Sequence, residues 1–306
     1  MAGTVKLLTF TGVWVLLSAL LLPSVAIVTL LWRTPWPLTA LLFWYGYRAL
    51  FPARHWPALR SFFRLDVTPF WRTQRLVLDE AGFGSAGEVP REGHMFAFHP
   101  HGMLCCGWML ANSSAAFKHL TWLVADVLLL IPLVGDWMRW HGCEPVGAAH
   151  MKKVLHSRRS CALLPGGFED ATAFVRGRHR VFLRQRAGFI KYALMHGYAV
   201  HPVYSFGEEL TFTTVTAFPN FRMWLCSFKV PAVLFWGTWL VPFLPQRDVD
   251  MNVVVGPPLQ LPRIEKPTAE EVAKWHREYI GALQALFDRH KVSYAAQGAA
   301  AVLEVL

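Results

Sequence analysis

The sequence predicts one mixed α/β domain, residues 53–306, carried behind a membrane-embedded helical hairpin, residues 1–52. Three observations predict it. Leu7 to Trp32 runs about 26 residues without a charged side chain, more than the roughly 20 that cross a bilayer. From about residue 53, short apolar runs bounded by Gly and Pro alternate with amphipathic stretches, and no long-period repeat is present. Apolar residues make up 54% of the chain and charged ones only 16%, so part of it is expected to meet lipid.

The hairpin is read first. Pro23 breaks the first apolar run, Arg33 ends it, and "RTPWP" turns the chain into a second run, Pro37 to Tyr47, closed by Arg48. A hairpin that dips into or crosses the membrane fits both lengths. A cleaved signal peptide competes, because "LSALLLPSVA" ends in a small-x-small pattern, although Lys6 alone supplies its basic region. Arg48, Arg54, His55, Arg60 and Arg64 then cluster, and the positive-inside rule puts the rest of the chain in the cytosol. The same cluster also reads as a solvated face.

Within the domain, "HMFAFHP" reads as a buried strand that delivers His99 to its C-terminal end. "SCALLPGG" is a second strand stopped by Pro165, and "AVHPVYSFG" a third that ends at Gly207. Between these two, Phe189, Ile190, Ala193 and Leu194 share a helical face and Gly197 supplies the stop. Open α/β sheets place ligands at such strand ends. Thr268 and Glu271 form a capping box ahead of a long packing helix through Tyr279 to Phe287. Two further apolar stretches, Leu120 to Trp140 and Met223 to Pro245, contain Asp126 and Asp136, and Lys229 with Pro231, respectively. Mid-span charges cost several kcal/mol in lipid, so both are expected to be core or interfacial segments.

The formal charge of +10 implies an anionic partner: nucleic acid, acidic lipid head groups or a phosphorylated cofactor. Nucleic acid lacks support, since no helix-turn-helix, zinc-finger or RNP-like signature is present. Five cysteines, none in a CxxC, provide neither a disulfide framework nor a thiol zinc site.

Chemistry concentrates in "FAFHPHGMLCC", Phe96 to Cys106. Imidazole suits proton transfer near neutral pH, and Pro100 and Gly102 make a rigid elbow around His101. Three other readings stay open here. His94, His99 and His101 could hold a metal, though the HxH lacks the downstream Asp and His of a metallohydrolase. Cys105 or Cys106 could be a nucleophile, though apolar surroundings disfavour a thiolate. Both histidines could simply cap a strand. A second cluster, "PGGFEDA", places Glu169 and Asp170 after Gly166 and Gly167, where N–H groups can face a developing negative charge and a carboxylate can hold an imidazole. An ordinary acidic turn would look the same. Arg176, Arg178, Arg180, Arg184, Arg186 and Lys191 follow, a density suited to a phosphate-bearing substrate or to a membrane surface.

"FHPHG" at Phe98–Gly102, "PGGFED" at Pro165–Asp170, "RAGFIKYALMHGYAVHPVYSFGE" at Arg186–Glu208, and "VVVGPPLQLP" before "HREYIGALQALFDRHK" occur in that order. With these blocks the chain resembles the diacylglycerol acyltransferase type 2 family, which includes monoacylglycerol and wax-alcohol acyltransferases, from roughly Phe70 to the C-terminus. The resemblance implies a glycerolipid-acyltransferase-like sheet with flanking helices, and transfer of an acyl chain from acyl-CoA to a neutral lipid hydroxyl. Diacylglycerol is the first acceptor to expect, and monoacylglycerol or a fatty alcohol the alternatives. It further implies an endoplasmic-reticulum membrane or lipid-droplet enzyme with no metal and no cofactor beyond acyl-CoA as co-substrate, and is compatible with a homo-oligomer. His101 takes the catalytic place, with His99 beside it and Asp170 or Glu169 as the acidic partner. Pro100, Gly102, Gly166, Gly167, Arg178, Arg180, Arg184 and Arg186 are the expected substrate contacts, with an oxyanion held by N–H groups near Gly102 or Gly167.

Two departures from the family pattern matter. The family's glycine-rich block usually ends in glutamate, and that position here is Asp170. His201 stands where the family usually has an aliphatic residue. A lysophospholipid acyltransferase would show H-x4-D, but the residue at that spacing from His101 is Cys106. A non-catalytic lipid-binding protein of the same fold is the remaining alternative.

Overall fold

The computed structural model describes residues 2–16, 21–33, 35–78, 81–83, 87–228 and 233–306. Residues 17–20 of the signal-peptide-like stretch, and Lys229 and Pro231, lie outside the described residues.

Three apolar helices lead the chain: α1 (Ala2–Leu16), α2 (Leu22–Trp32) and α3 (Trp36–Leu50). Pro23 and Pro37 sit in the first turns of α2 and α3, where a missing N–H costs nothing, and Arg33 turns the chain between them with φ 49°. α2 and α3 pack as a helix pair, which exposes Leu30, Leu31, Phe43 and Leu50. Among the described residues no helix is long and apolar enough to cross a membrane. The pair is tied to the domain by an ion pair between Arg48 and the buried Asp136 (2.8 Å) and by Tyr45 Oη, which donates to the Leu130 carbonyl (3.0 Å). Next comes α4 (Pro57–Phe62). It carries Arg60, whose buried guanidinium donates to the carbonyls of Asn112, Phe117 and Lys118. That member of the basic cluster is structural rather than a solvated charge.

The domain runs β1 (Thr73–Val77), β2 (His94–His99), α5 (Cys106–Ser113), β3 (Thr121–Val124), α6 (Asp126–Leu130), α7 (Val134–Trp140), β4 (Cys143–Pro145), α8 (Ala148–His156), β5 (Cys161–Leu163), α9 (Gly167–Ala173), β6 (His179–Val181), α10 (Gly188–His196) and β7 (Ala199–Phe206). It closes with β8 (Thr213–Thr214), α11 (Pro219–Ser227), β9 (Phe235–Trp236), β10 (Asp250–Val255), β11 (Leu259–Gln260), α12 (Ala269–Tyr294) and β12 (Leu303–Val305). The main sheet has the order β1-β10-β7-β2-β5-β3-β4, with β11 also on β7. From β7 to β4 the strands are parallel, and β10 enters antiparallel to β7. This is the mixed α/β fold expected.

β2 lies in the middle of the sheet, and its unbroken apolar run is what burial on both faces requires. The strand alternates. Phe96 and Phe98 join one core with Trp108 and Trp122, while Met95 and Ala97 join the other with Ile190 and Tyr279. His201, the family departure, pairs in register with Phe96 and stacks on its ring at 4.5 Å. Its Nδ1 meets the Gly256 carbonyl (3.0 Å) and its Nε2 meets His94 Nδ1 (2.9 Å), so the core absorbs it as a satisfied histidine. The Thr268–Glu271 capping box forms as expected at the start of α12, and Leu120–Trp140 folds as β3, α6 and α7.

Candidate active site

The elbow between β2 and α5 puts His101 just past the end of a central strand. Its His99–Pro100 peptide is cis, and Gly102 has φ 59°, a left-handed conformation that suits glycine. His101 lines a largely apolar cavity of about 410 Å³, with Leu104 and Trp108 from the elbow and α5, Leu128 and Met138 from α6 and α7, and Phe168 from α9. That volume falls within the range of small-molecule sites. His101 Nδ1 lies 3.0 Å from the Gly102 carbonyl oxygen. A carbonyl only accepts, so Nδ1 carries the hydrogen and Nε2 keeps its lone pair. Burial lowers the His101 pKa below the ordinary 6.5, which keeps the ring neutral near pH 7.

Asp170 does not bond the imidazole. Its Oδ2 accepts the His101 backbone N–H (2.7 Å) and its Oδ1 accepts the Phe182 N–H (2.8 Å). The expected acid–imidazole pair is thus replaced by a carboxylate that fixes the backbone, and a carbonyl orients the ring. Burial pushes the Asp170 carboxyl up, and the two N–H groups oppose this. Gly166 is required beside it, since a Cβ there would overlap the Asp170 side chain. Glu169, one residue earlier, turns away to an ion pair with Arg186. Cys105 Sγ lies 3.4 Å from His101 Nδ1 and 3.5 Å from Nε2. Burial, reinforced by Glu208 and Asp170, pushes that thiol well up, so it stays protonated.

The pattern of the diacylglycerol acyltransferase family matches residues 87–304, which include the whole elbow and the glycine block. The chain belongs to the diacylglycerol acyltransferase family. It is an acyltransferase. Human diacylglycerol O-acyltransferase 2-like protein 6 is 33% identical over 234 residues, 67% of this chain and 68% of that one. Mouse acyl-CoA wax alcohol acyltransferase 2 is 27% identical over 306 residues, 92% of this chain and 91% of that one. The crystal structure of the 1-acyl-sn-glycerophosphate acyltransferase of Thermotoga maritima superposes with a TM-score of 0.45 at 13% identity, over 82% of this chain and 95% of that one.

The acyltransferase does not bring every expected site residue to the cavity. His99 is not among the cavity residues. It is buried on the α12 side of the sheet, with Nε2 3.0 Å from Tyr279 Oη, and burial pushes its pKa down to about 3. The alternation of an extended chain explains this, since His99 still belongs to β2 and His101 to the elbow beyond it. His94 begins β2 and His101 lies past its end, so the three-histidine metal set is not assembled.

Three arginines of the cluster are paired with carboxylates. Strand pairing sets Glu304 of β12 opposite Arg180 of β6, where it accepts from Arg180 Nε (2.8 Å) and Arg178 Nη1 (3.3 Å). Arg178, Arg180 and Arg186 each pair with a carboxylate, so a phosphate would compete for them with Glu304 or Glu169. Arg184 is exposed, and no side-chain partner for it is found among the described residues. One acid of the site was missed in the sequence. Glu208 ends the block at Arg186–Glu208, and its one signal was a charge placed directly after a strand and a glycine.

Proposed function

We propose that this acyltransferase moves an acyl chain from acyl-CoA to the hydroxyl of a neutral lipid, with diacylglycerol as the first acceptor and triacylglycerol as product. One observation carries the reading: a neutral imidazole whose Nε2 holds the lone pair, fixed at the edge of an apolar cavity of about 410 Å³. In the proposed step, Nε2 takes the acceptor's hydroxyl proton as its oxygen attacks the thioester carbonyl. The C–S bond then breaks, and the CoA thiolate leaves and recovers the proton. Asp170 serves by holding the elbow backbone. N–H groups near Gly102 or Gly167 would face the oxyanion, because those of Cys106 and Gly107 are already taken by Glu208. Arg184 is the proposed contact for CoA phosphate.

The acceptor is proposed from the family, and monoacylglycerol or a fatty alcohol is the alternative, one relative being named for wax alcohol. The exposed apolar residues of α2 and α3 support seating in the endoplasmic-reticulum membrane or on a lipid droplet, with the domain facing the cytosol. Incubating the full chain with labelled acyl-CoA and a panel of diacylglycerol, monoacylglycerol, fatty alcohol and lysophospholipid tests the reading. Ester formed only on lysophospholipid, or on nothing, overturns it.

The Cys105 thiol against the His101 ring favours a second route, through an acyl-thioester on Cys105. Its raised pKa weighs against that route. Replacing Cys105 decides between the two.

A further inference from the structure

The mechanism so far gives no task to one fully buried acid. Glu208 follows Gly207 at the end of β7, the strand beside β2, and its side chain runs to the elbow. Its Oε1 accepts the N–H of Cys106 (3.1 Å) and its Oε2 the N–H of Gly107 (2.8 Å). These N–H groups open α5 and have no partner within their own helix. The same carboxyl packs against Gly102, where a Cβ would overlap it. Burial pushes its pKa up to about 8, so near neutral pH it sits at the elbow without a full charge.

We propose that Glu208 is a positioning residue for acyl transfer: with Asp170 it holds the elbow at both ends and so sets the place of the His101 ring. Asp170 grips the N–H of residue 101, while Glu208 grips residues 106 and 107 and bears on residue 102. The inference rests on the reading of His101 as the base. Glu208 is not among the cavity residues, so it acts through the elbow and leaves substrate affinity alone.

The test is kcat and KM for acyl-CoA, measured on the full chain in mixed micelles. A displacement of roughly 1 Å at a reacting group costs on the order of 100-fold, so Glu208→Ala is expected to lower kcat by about that factor with KM unchanged. In Glu208→Gln the amide keeps one acceptor oxygen but points N–H groups at a backbone donor, and a roughly tenfold loss in kcat is expected, again at unchanged KM. Wild-type kcat in Glu208→Ala, or a raised KM with kcat intact, overturns the proposal. Should the alanine variant fail to fold, Glu208→Gln decides alone: undiminished kcat sinks the idea. His101→Ala in the same assay separates the two levels. If it retains turnover, the base reading itself is lost; if it is inactive while Glu208→Ala is unaffected, only the present inference fails.

Discussion

The elbow at residues 99–107 and the arginine cluster at 176–186 are both held by carboxylates, but in opposite ways. In the elbow, Asp170 and Glu208 are buried and accept backbone N–H groups. In the cluster, Glu304 and Glu169 are partly exposed and pair with guanidinium groups. A buried acid bound to backbone fixes where the chain runs, because leaving its partners unsatisfied costs on the order of 1–3 kcal/mol each. A solvent-facing ion pair contributes far less, roughly 0.2–1 kcal/mol. Charge density and backbone hold therefore part company: the two buried acids fix the elbow backbone, and the cations pair with partly exposed carboxylates.

The comparison breaks if the cluster matters more to turnover than the elbow. The largest effect is expected from His101→Ala, which removes the proposed general base and should lower kcat at least about 100-fold in a folded protein. Retained kcat would remove the elbow from the chemistry altogether. Asp170→Asn comes next. Asn supplies one acceptor where two N–H groups are held, and the loss of roughly 1–3 kcal/mol predicts a tenfold to hundredfold fall in kcat. Glu169→Gln, which ends only the pair with Arg186, should stay within about threefold of wild type. If Glu169→Gln proved the more damaging, the assignment would move by one residue.

A pH profile sharpens the same contrast. The proposed base, His101, works deprotonated, and burial lowers its pKa below 6.5, so the acid limb of kcat/KM should lie below pH 6.5. Activity is full above that limb and falls as pH drops through the lowered pKa and the ring gains its proton. A limb above 6.5 would mean that the ring is held charged by a carboxylate, contrary to the geometry found. Cys105→Ser should leave turnover within about threefold of wild type, since a thiol pushed well up is a poor nucleophile. Loss of activity together with an acyl group trapped on Cys105 in the wild type would establish the thioester route instead.

Much of this arrangement is legible in the sequence. The apolar run of β2, the glycine stop of β7 and the Thr268 capping box follow from local periodicity and turn chemistry, which short windows of sequence carry. His101 was legible because proline and glycine on either side constrain one short loop. What sequence could not supply was the direction of side chains across the sheet. Whether His99 faces the cavity or α12 depends on where the strand ends, and one residue reverses the answer. Nor did adjacency reveal that Asp170 bonds a backbone N–H instead of a ring. Glu208 meets the elbow from about 100 residues away in sequence, a contact created only when β7 pairs with β2.

The smallest effect is the one that tests the cluster itself. Arg178 and Arg180 share Glu304 across the β6–β12 ladder, and Arg178 is more than half exposed, so their attraction is screened by water and salt. Replacing both with alanine should cost no more than about 1 kcal/mol of stability and leave KM for acyl-CoA unchanged. Arg184→Ala, at the exposed position proposed for CoA phosphate, should instead raise that KM and leave thermal stability alone. A guanidinium on phosphate gains a charge-assisted hydrogen bond only when substrate is present, so its removal is felt in binding and not in the free protein. If the double variant raised KM as much as Arg184→Ala, the ion pairs with Glu304 would have to open during turnover, and the whole cluster would rejoin the site.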